Sequence, residues 1–465
     1  METKKKYLSL PKKIAYGSGD FGSNFFFTFV SSFVMIYLTD TVGLDAGIVG
    51  TLILISKILD GISDAFFGNL IDKTHSKMGK ARPWMFFSGF PLALCIILMF
   101  AVPENAGTNV QYAYFFIVYT CANALFYTAN NISYATMSAL ITNNDEERVA
   151  LGSFRYIFAV LAGILVSALT VILVDAFGGG MSGWRTLAFL YAGINLLFNI
   201  IASLSCKELP EEELEAVHTA AESSAHENRA EKKNSFASSL KIVFSNRFYL
   251  LMLGIYLCMH ATTNLGTSVG VYYFTYILGN ASLLGVVSLS GLVVIVGLIF
   301  NPLLVKKFGM YKVNLISYII TSVIMAFSAF FAYTANFPAL VACAFLRCIT
   351  MGPLMGSLNA IIAEIARNCW LRHGVHTEGM IFSCSSIGMK VGGGIGSSLC
   401  GWLLALAGYV GTAEVQTPQV LSMMKFLYGG IPLILTVLLT VCLIFMGVEE
   451  DNKRLEIVGF APRSG

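Results

Sequence analysis

Charged residues are scarce in this sequence. Only 12% of the 465 residues are charged, 56% are hydrophobic, and the mean hydropathy is +0.72. Soluble globular domains carry about a quarter of their residues as charges. The composition therefore excludes an ordinary soluble domain. The net charge of +3 says little by itself, and we expect no nucleic-acid partner.

Motifs of catalysis and of metal binding are also scarce. The ten cysteines are scattered through apolar runs without a CxxC pair, and each is interpreted as a small buried hydrophobe. The zinc-protease pattern HExxH is absent as well. We therefore expect that the protein is not an enzyme and that it has no cofactor.

Long apolar runs dominate what is present. About twelve of them, at roughly 20 residues each, are long enough to cross a hydrocarbon core as helices. Most of the 30 Lys and Arg residues fall on one set of alternate loops and on both ends of the chain. The positive-inside rule then places both termini in the cytoplasm. We expect an all-α, multi-pass protein of the cell (plasma) membrane.

One long polar segment, 207–246, separates an N-terminal half, 1–206, from a C-terminal half, 247–465. Its Glu and Ala content favours a cytoplasmic helix, and a solvated linker is the alternative. The run GIVGTLILISKILDGISDAFFGNLIDKTHSKMGK aligns loosely with GVVSLSGLVVIVGLIFNPLLVKKFGMYK in the second half. Two six-helix halves with weak internal symmetry are typical of a major-facilitator carrier.

Three charges interrupt the second apolar run, in KILDGISD at 57–64. Asp60 and Asp64 are one helical turn apart and Lys57 precedes Asp60 by one turn, so all three project from one helix face. Asp60 lies about 14 residues, or roughly 20 Å, into the membrane. A carboxylate there costs at least about 2.5 kcal/mol. Bound Na⁺ or Li⁺, a proton, or an internal lysine or arginine must neutralise it; a purely structural network with Lys57 is the alternative.

Uncharged polar residues gather in the first and the fourth of the apolar runs, which are predicted helices 1 and 4. Asn24 lies on the first, and YTANNISYAT on the second contains Thr128, Asn131 and Tyr134. Buried amides and hydroxyls suit a ligand rich in hydroxyl groups. Polar contacts between helices are the alternative interpretation.

Further charges lie within predicted helices. Lys390, near mid-depth of predicted helix 11, is a candidate partner of the two aspartates or a snorkelling side chain. Asp20 and Arg155 lie toward the cytoplasmic ends of their helices. These two residues have three alternative interpretations, which are contact with substrate, closure of a gate and anchoring to lipid headgroups.

The sequence resembles the glycoside–pentoside–hexuronide:cation symporters, the major-facilitator group that includes melibiose permease. The resemblance rests on YGSGDFGSN, KILDGISDAFFGNLIDKTHSKMGKARPW, YTANNISYA, SFRYIFAVLAG and HTEGMIFSCSSIGMKVGGG, and it covers most of the chain. It implies a major facilitator fold and symport of a sugar or glycoside with Na⁺, H⁺ or Li⁺.

The resemblance also implies roles for individual residues. Asp60 and Asp64 would coordinate the coupling cation, with Ser63 and Thr128 assisting and Lys390 nearby. Asp60 and Asp64 are therefore the metal ligands if the coupling ion is Na⁺. The substrate candidates are Asn24, Asn131, Asp20, Tyr134, Arg155 and Lys390.

The sequence departs from the family at two places. Asn24 and Asn131 stand where the galactoside carrier has aspartates, which makes melibiose a doubtful substrate. The stretch AEIARNCWLRHGVHTEG replaces an acidic run of relatives, so that Arg367 and Arg372 make this loop basic. A changed cytoplasmic gate and attraction of an anionic sugar are the two interpretations.

The loop GNLIDKTHSKMGK resembles a motif shared by major facilitators, and the gating candidates here are Asp72 and Lys73 within it and Arg82 just after it. A topogenic signal is the alternative. The expected partners are a small-molecule sugar or glycoside and the lipid bilayer, with the protein acting as a monomer. A major-facilitator carrier of another small solute and a sugar sensor that does not transport are the rival functions.

Overall fold

The computed structural model describes residues 6–210, 243–373, 378–413 and 415–457. Across these ranges every regular element is a helix. The helix expected in the polar segment 207–246 lies largely outside the described residues.

The helices alternate with short connections along the described chain. In the first half they are α1 (Leu10–Thr41), α2 (Ala46–Asp72), α3 (Arg82–Met99), α4 (contiguous segments Thr108–Thr120, Cys121–Tyr127 and Thr128–Leu140), α5 (Asp145–Ala176) and α6 (Gly180–Ser205). In the second half they are α7 (Arg247–Ile277), α8 (Leu283–Phe308), α9 (Met310–Tyr333), α10 (Phe337–His373), α11 (Glu378–Leu406), α12 (contiguous segments Pro418–Lys425, Phe426–Gly430 and Ile431–Ile444) and a short α13 (Val448–Ile457).

Eleven helical stretches in the described part of the chain are long and apolar enough to span a membrane. Helix α4 is not among them, although it is helical throughout the expected span. This helix carries the polar run YTANNISYAT, so the least apolar of the expected spans is also the one with the densest cluster of candidate binding residues.

Helices α7 and α12 begin at residues whose side chains cap them. The Asn246 side chain accepts hydrogen bonds from the amides of Phe248 and Tyr249 at the start of α7, and Thr417 caps α12 by accepting from Val420. Proline occupies the first turn of α3 and of α12, where its missing N–H costs nothing. Gly309, at φ 85°, makes the left-handed turn between α8 and α9.

Helices α1 and α7 occupy corresponding places in the two halves and end in the same way. Each finishes in a π-helical turn, Tyr37–Thr41 in one and Tyr273–Ile277 in the other, and the first tyrosine of each turn is fully buried. The Tyr37 hydroxyl accepts from the amide of Val102, just after α3, at 3.4 Å. The Tyr273 hydroxyl donates to the carbonyl of Ala332, at the end of α9, at 2.7 Å. The matched contacts support an internal duplication.

The chain divides into two compact units. One comprises Met1–Asp45 and Ile55–Lys232, and the other comprises Ala46–Leu54 and Lys233–Gly465. In the second unit, α11 packs closely on α7, since a Cβ at Gly392 would lie 2.7 Å from the carbonyl oxygen of Leu257. Small residues after Lys390 therefore allow the close helix approach that the sequence suggested.

Candidate functional site

The first unit contains a buried carboxylate. Asp60 on α2 is 5% exposed. The Thr128 hydroxyl on α4 donates to its Oδ1 at 2.6 Å, and Lys57 Nζ lies 4.0 Å from its Oδ2. The hydroxyl and the ammonium both stabilise the charged form of this carboxylate.

A π-helical turn places Thr128 at this carboxylate. The turn Cys121–Tyr127 immediately precedes Thr128, and Thr128 Oγ1 lies 3.0 Å from the carbonyl oxygen of Asn123. In a regular helix, residues five apart point about 140° away from each other. The wider π turn aligns them instead, and such turns occur often at functional sites.

Asn123 belongs to the same cluster although sequence reasoning missed it. Its side chain is 2% exposed, and its Oδ1 accepts a hydrogen bond from Lys57 Nζ at 3.3 Å. The available signal was an amide inside the apolar run CANALFY, five residues before Thr128. The 3.6-residue period puts Asn123 on another face from Thr128, so the pattern alone separates these two residues.

The remaining candidates on α2 lie in the next turn. The Ser63 hydroxyl donates to the carbonyl oxygen of Asp60 at 2.9 Å, as a back-bond within the helix. Asp64 is half-buried. These contacts do not test whether Ser63 and Asp64 bind a cation, so their role as cation ligands stays a prediction.

Oxygen atoms dominate the surroundings of Asp60. The Thr128 hydroxyl oxygen lies 2.6 Å from the Asp60 carboxylate and 3.0 Å from the backbone carbonyl oxygen of Asn123. Such oxygens are the ligands of hard cations, and a carboxylate also accepts a proton. Among the described residues no group of three or more His, Cys, Asp and Glu could hold a metal. A cation here would therefore need hydroxyl and carbonyl oxygens beside the carboxylates.

A second buried charge cluster links α1, α4 and α5. Arg155 Nε donates to Asp20 Oδ2 at 2.5 Å, and the two side chains are 22% and 13% exposed. The Arg155 guanidinium carbon lies 4.1 Å from the centre of the Tyr134 ring. The charged groups are thus paired with each other and covered by an aromatic face.

Tyr134 joins α4 to α1 by a reciprocal contact. Its hydroxyl donates to the Tyr16 carbonyl at 2.6 Å, and the Tyr16 hydroxyl donates to the Tyr134 carbonyl at 2.5 Å. Both rings are fully buried. These bonds satisfy two polar groups inside the helix bundle and give Tyr134 a packing role, whatever it contributes to a ligand.

The two candidate asparagines differ in their surroundings. Asn24 Nδ2 donates to the Asp20 carbonyl at 2.8 Å within α1, and the side chain is half-buried. Asn131 is exposed on α4. The neighbouring Asn130 is instead buried and donates to the Met85 carbonyl and to the Ser88 hydroxyl at 2.9 and 3.0 Å. Of the two neighbouring asparagines on α4, Asn131 is the one exposed to a ligand.

Lys390 is half-buried on α11 and belongs to the second unit, whereas Asp60 and Thr128 belong to the first. Its predicted pairing with the aspartates stays a prediction.

The gating candidates of the first unit lie around the start of α3. Arg82 Nε donates to the Ser203 carbonyl at the end of α6, at 2.9 Å. Lys73 is exposed, and the side chain of Asp72 lies outside the described ones. Arg82 therefore ties α3 to α6 within one unit.

The gating candidates of the second unit bind the C-terminal helix α13. Arg372 Nη2 donates to Asp451 at 2.6 Å, and Arg367 pairs with Glu456. Asn368 Nδ2, between them on α10, also donates to Asp451 at 2.8 Å. Arg367 and Arg372, expected in a loop, lie instead in the last turns of α10, because the helix continues to His373. They form an ion-pair network that joins α10 to α13.

The letters GTSVG at Gly266–Gly270 match the nucleophile motif GxSxG. That motif requires a sharp turn between a strand and a helix. Here the run lies inside α7, and Ser268 is 2% exposed. The match has no catalytic geometry.

Comparison with known proteins identifies a matching family and several similar proteins. The family model described as MFS/sugar transport protein matches residues 15–450. The isoprimeverose transporter of Lactiplantibacillus pentosus is 27% identical over 96% of this chain and 90% of its own. The inner membrane symporter YicJ of Escherichia coli strain K12 is 27% identical over 93% and 90%. The putative glycoside/cation symporter YagG of the same strain is 25% identical over 92% and 90%.

Solved structures show the same architecture. A D-xylose-proton symporter superposes with a TM-score of 0.64 at 15% identity, over 95% of this chain and 98% of the other. The nucleoside transporter NupG gives 0.63 at 14% identity, over 94% and 99%. At these identities the likeness concerns the fold alone. The expected fold class, an all-α membrane protein with twelve transmembrane helices and the major facilitator fold of two six-helix halves, is confirmed.

Proposed function

Because the chain belongs to the MFS/sugar transport protein family, we propose that it is a symporter that imports a sugar or glycoside together with Na⁺ or H⁺ by alternating access. It acts as a monomer in the cell membrane, with both termini in the cytoplasm. The names of its relatives, an isoprimeverose transporter and a putative glycoside/cation symporter, support this class of substrate.

The observation that carries the proposal is the burial of the Asp60 carboxylate beside a hydroxyl group. A membrane helix holds this carboxylate at 5% exposure with a hydroxyl at 2.6 Å and an ammonium at 4.0 Å. A carboxylate buried in a membrane helix is costly and marks a functional site. A carboxylate oxygen next to a hydroxyl oxygen also suits a group that binds and releases a cation in each transport cycle.

The coupling follows from two neighbouring charges on one helix. Asp60 and Asp64 are one turn apart, so an ionised pair is repulsive until a cation or proton binds. The bound cation uses Asp60, Asp64 and the Thr128 hydroxyl, and Ser63 completes the site after rotation from its back-bond. Sugar then binds beside them, and the transporter closes only when both ligands are present, since each alone leaves buried polar groups unsatisfied.

Polar residues of the first unit supply the sugar contacts in this proposal. Asn131 offers an exposed amide that both donates and accepts hydrogen bonds, and Asn24 lies near Asp20 on α1. Arg155 and Tyr134 position Asp20 and hold α1, α4 and α5 together.

The experiment is gradient-driven uptake by the purified protein in proteoliposomes, screened over a panel of glycosides with an imposed Na⁺ or H⁺ gradient. Asp60→Asn should abolish accumulation against a sugar gradient because the neutral amide no longer binds the cation. Asp175→Asn, at an exposed position near the end of α5, is the matched control and should accumulate sugar like the wild type.

The rival functions give different results in the same vesicles. A sensor would bind sugar without counterflow of labelled sugar, and a carrier of another solute would show no uptake of any glycoside. Unchanged cation-driven accumulation by Asp60→Asn would disprove the proposed coupling site.

A further inference from the structure

Two neighbouring cavities lie on the first unit, where the loop 73–81 connects α2 to α3. One has a volume of about 400 Å³ and the other of about 540 Å³. Ser76 lines both of them, so the two cavities adjoin. Neither belongs to the site around Asp60.

The smaller cavity is strongly basic. Lys77, Lys80, Arg82 and Lys207 line it together with one acid, Glu208. Lys77 and Lys207 are exposed, so their ammonium groups are accessible to an anion. Four cationic side chains against one carboxylate give the cavity an excess of positive charge.

The backbone binds the single acid of this cavity. Glu208 accepts hydrogen bonds from the amides of Lys80, Ala81 and Arg82 at 2.7, 2.9 and 2.8 Å. These amides begin α3, where the helix dipole favours a negative charge. The carboxylate is therefore held at the helix start, and the exposed Lys77 and Lys207 face the same cavity.

The larger cavity is an apolar groove between α2, α3 and α4. Phe67, Phe87, Leu125 and Phe126 line its walls, and Phe87 is 61% exposed. Trp84 also lines the groove, and its indole N–H donates to the Thr74 hydroxyl at 2.7 Å. A tryptophan with an apolar ring and a satisfied polar edge is typical of the boundary between hydrocarbon and headgroups.

We propose that the two cavities form one binding site for an anionic phospholipid. The phosphate lies against Lys77 and Lys207, and an acyl chain occupies the groove beside Phe87. Charge and polarity change along the site in the same order as along such a lipid, from an anionic head to a hydrocarbon chain. A soluble anion would use only the basic cavity, and a zwitterionic lipid would gain little from its excess charge.

The test measures how many phospholipids the full-length protein retains in detergent, by native mass spectrometry during titration with dioleoyl phosphatidylglycerol. Lys77→Gln/Lys207→Gln should weaken this binding by about tenfold to thirtyfold, since each lysine near a lipid surface contributes about 1 kcal/mol. The matched control is Lys306→Gln/Lys307→Gln, two exposed lysines at the end of α8, which should bind as the wild type does.

A second pair of variants tests the groove. Phe87→Ala should weaken retention of phosphatidylglycerol, whereas Phe90→Ala, at 44% exposure on the same helix but outside the groove, should not. Dioleoyl phosphatidylcholine should bind more weakly to the wild type than phosphatidylglycerol. Melting temperatures of all variants without added lipid verify that each is folded.

Three results would overturn the proposal. The first is equal phosphatidylglycerol binding by the two double-lysine variants. The second is displacement of the lipid by millimolar inorganic phosphate together with indifference to Phe87→Ala, which would assign the basic cavity to a soluble anion. The third is equal binding of phosphatidylcholine and phosphatidylglycerol by the wild type.

Discussion

The ion pair between Asp20 and Arg155 allows a quantitative test of what this cluster does. We expect Arg155→Met to destabilise the protein by about 3 kcal/mol, because it leaves the Asp20 carboxylate buried without a counter-charge. Asp20→Asn should cost a similar amount. The double variant Asp20→Asn/Arg155→Met should be much less destabilised than the sum of the single variants.

The magnitude follows from the geometry. Asp20 Oδ2 and Arg155 Nε are 2.5 Å apart, with 13% and 22% of the two side chains exposed. With charge centres about 4 Å apart and an effective dielectric constant of about 20, the attraction is about 4 kcal/mol. The loss of hydration on burial offsets much of that attraction, so the net contribution of the intact pair is small. The aromatic contact of Arg155 with Tyr134 adds about 1 kcal/mol.

The assay is reversible unfolding in mixed micelles with increasing denaturing detergent, applied to the four proteins of the double-variant cycle. A coupling energy of about 2 to 3 kcal/mol is expected. The pair Arg185 and Glu104 is the control, since its 3.0 Å contact joins side chains that are 41% and 53% exposed. Exposed pairs contribute less than about 1 kcal/mol.

Sugar affinity, measured on the same variants, separates the interpretations that the sequence left open. If the pair positions helices, the folded variants keep their sugar affinity within about threefold. A coupling energy below about 0.5 kcal/mol, together with a large loss of sugar affinity in Arg155→Met, would refute the reasoning and make Arg155 a substrate ligand.

Two further predictions concern single hydrogen-bonding groups. Thr128→Val should lower the apparent affinity for the coupling cation about tenfold, because it removes the hydroxyl 2.6 Å from Asp60. The cation dependence of uptake measures this affinity, and Thr136→Val on the same helix is the control. Equal cation affinities of Thr128→Val and the wild type would contradict the prediction. Glu147 precedes the apolar span of α5; burial alone would raise its pKa, but hydrogen bonds from Thr142, Lys13 and the amides of Leu8 and Tyr7 lower the pKa below its usual value. Its stabilising contribution is therefore complete above the ordinary carboxyl pKa and disappears as the pH falls through the lowered native pKa. Glu147→Gln should flatten this part of the acid-unfolding profile, and an unchanged profile would contradict the assignment.

Much of the architecture could be predicted because membrane spans have a strong sequence signal. The apolar runs and the polar break at 207–246 led to the fold class, the quoted motifs led to the resemblance, and both are confirmed. Helix α4 shows where hydropathy weakens as a guide, since its polar run removes it from the spans recognised by apolarity. The sequence still predicted this span, because the run is long enough to cross a hydrocarbon core as a helix.

The candidate site was only partly predictable. Asp60 and Thr128 were both expected, and the structure brings them to 2.6 Å. Asn123 was missed because a π turn changes the face on which it lies. The expected gating residues Arg367 and Arg372 contact α13, a partner far along the chain that no local pattern indicated.

The sequence by itself determined that this is a multi-pass membrane protein with two acidic groups on one face of its second helix. Burial of charge in hydrocarbon is so costly that each such residue marks a site or a partner. Only the tertiary structure decided which groups surround those charges. The distance between a charged group and its partner depends on how distant helices pack and on local changes of helical period. The spacing of residues along one helix predicts neither of these.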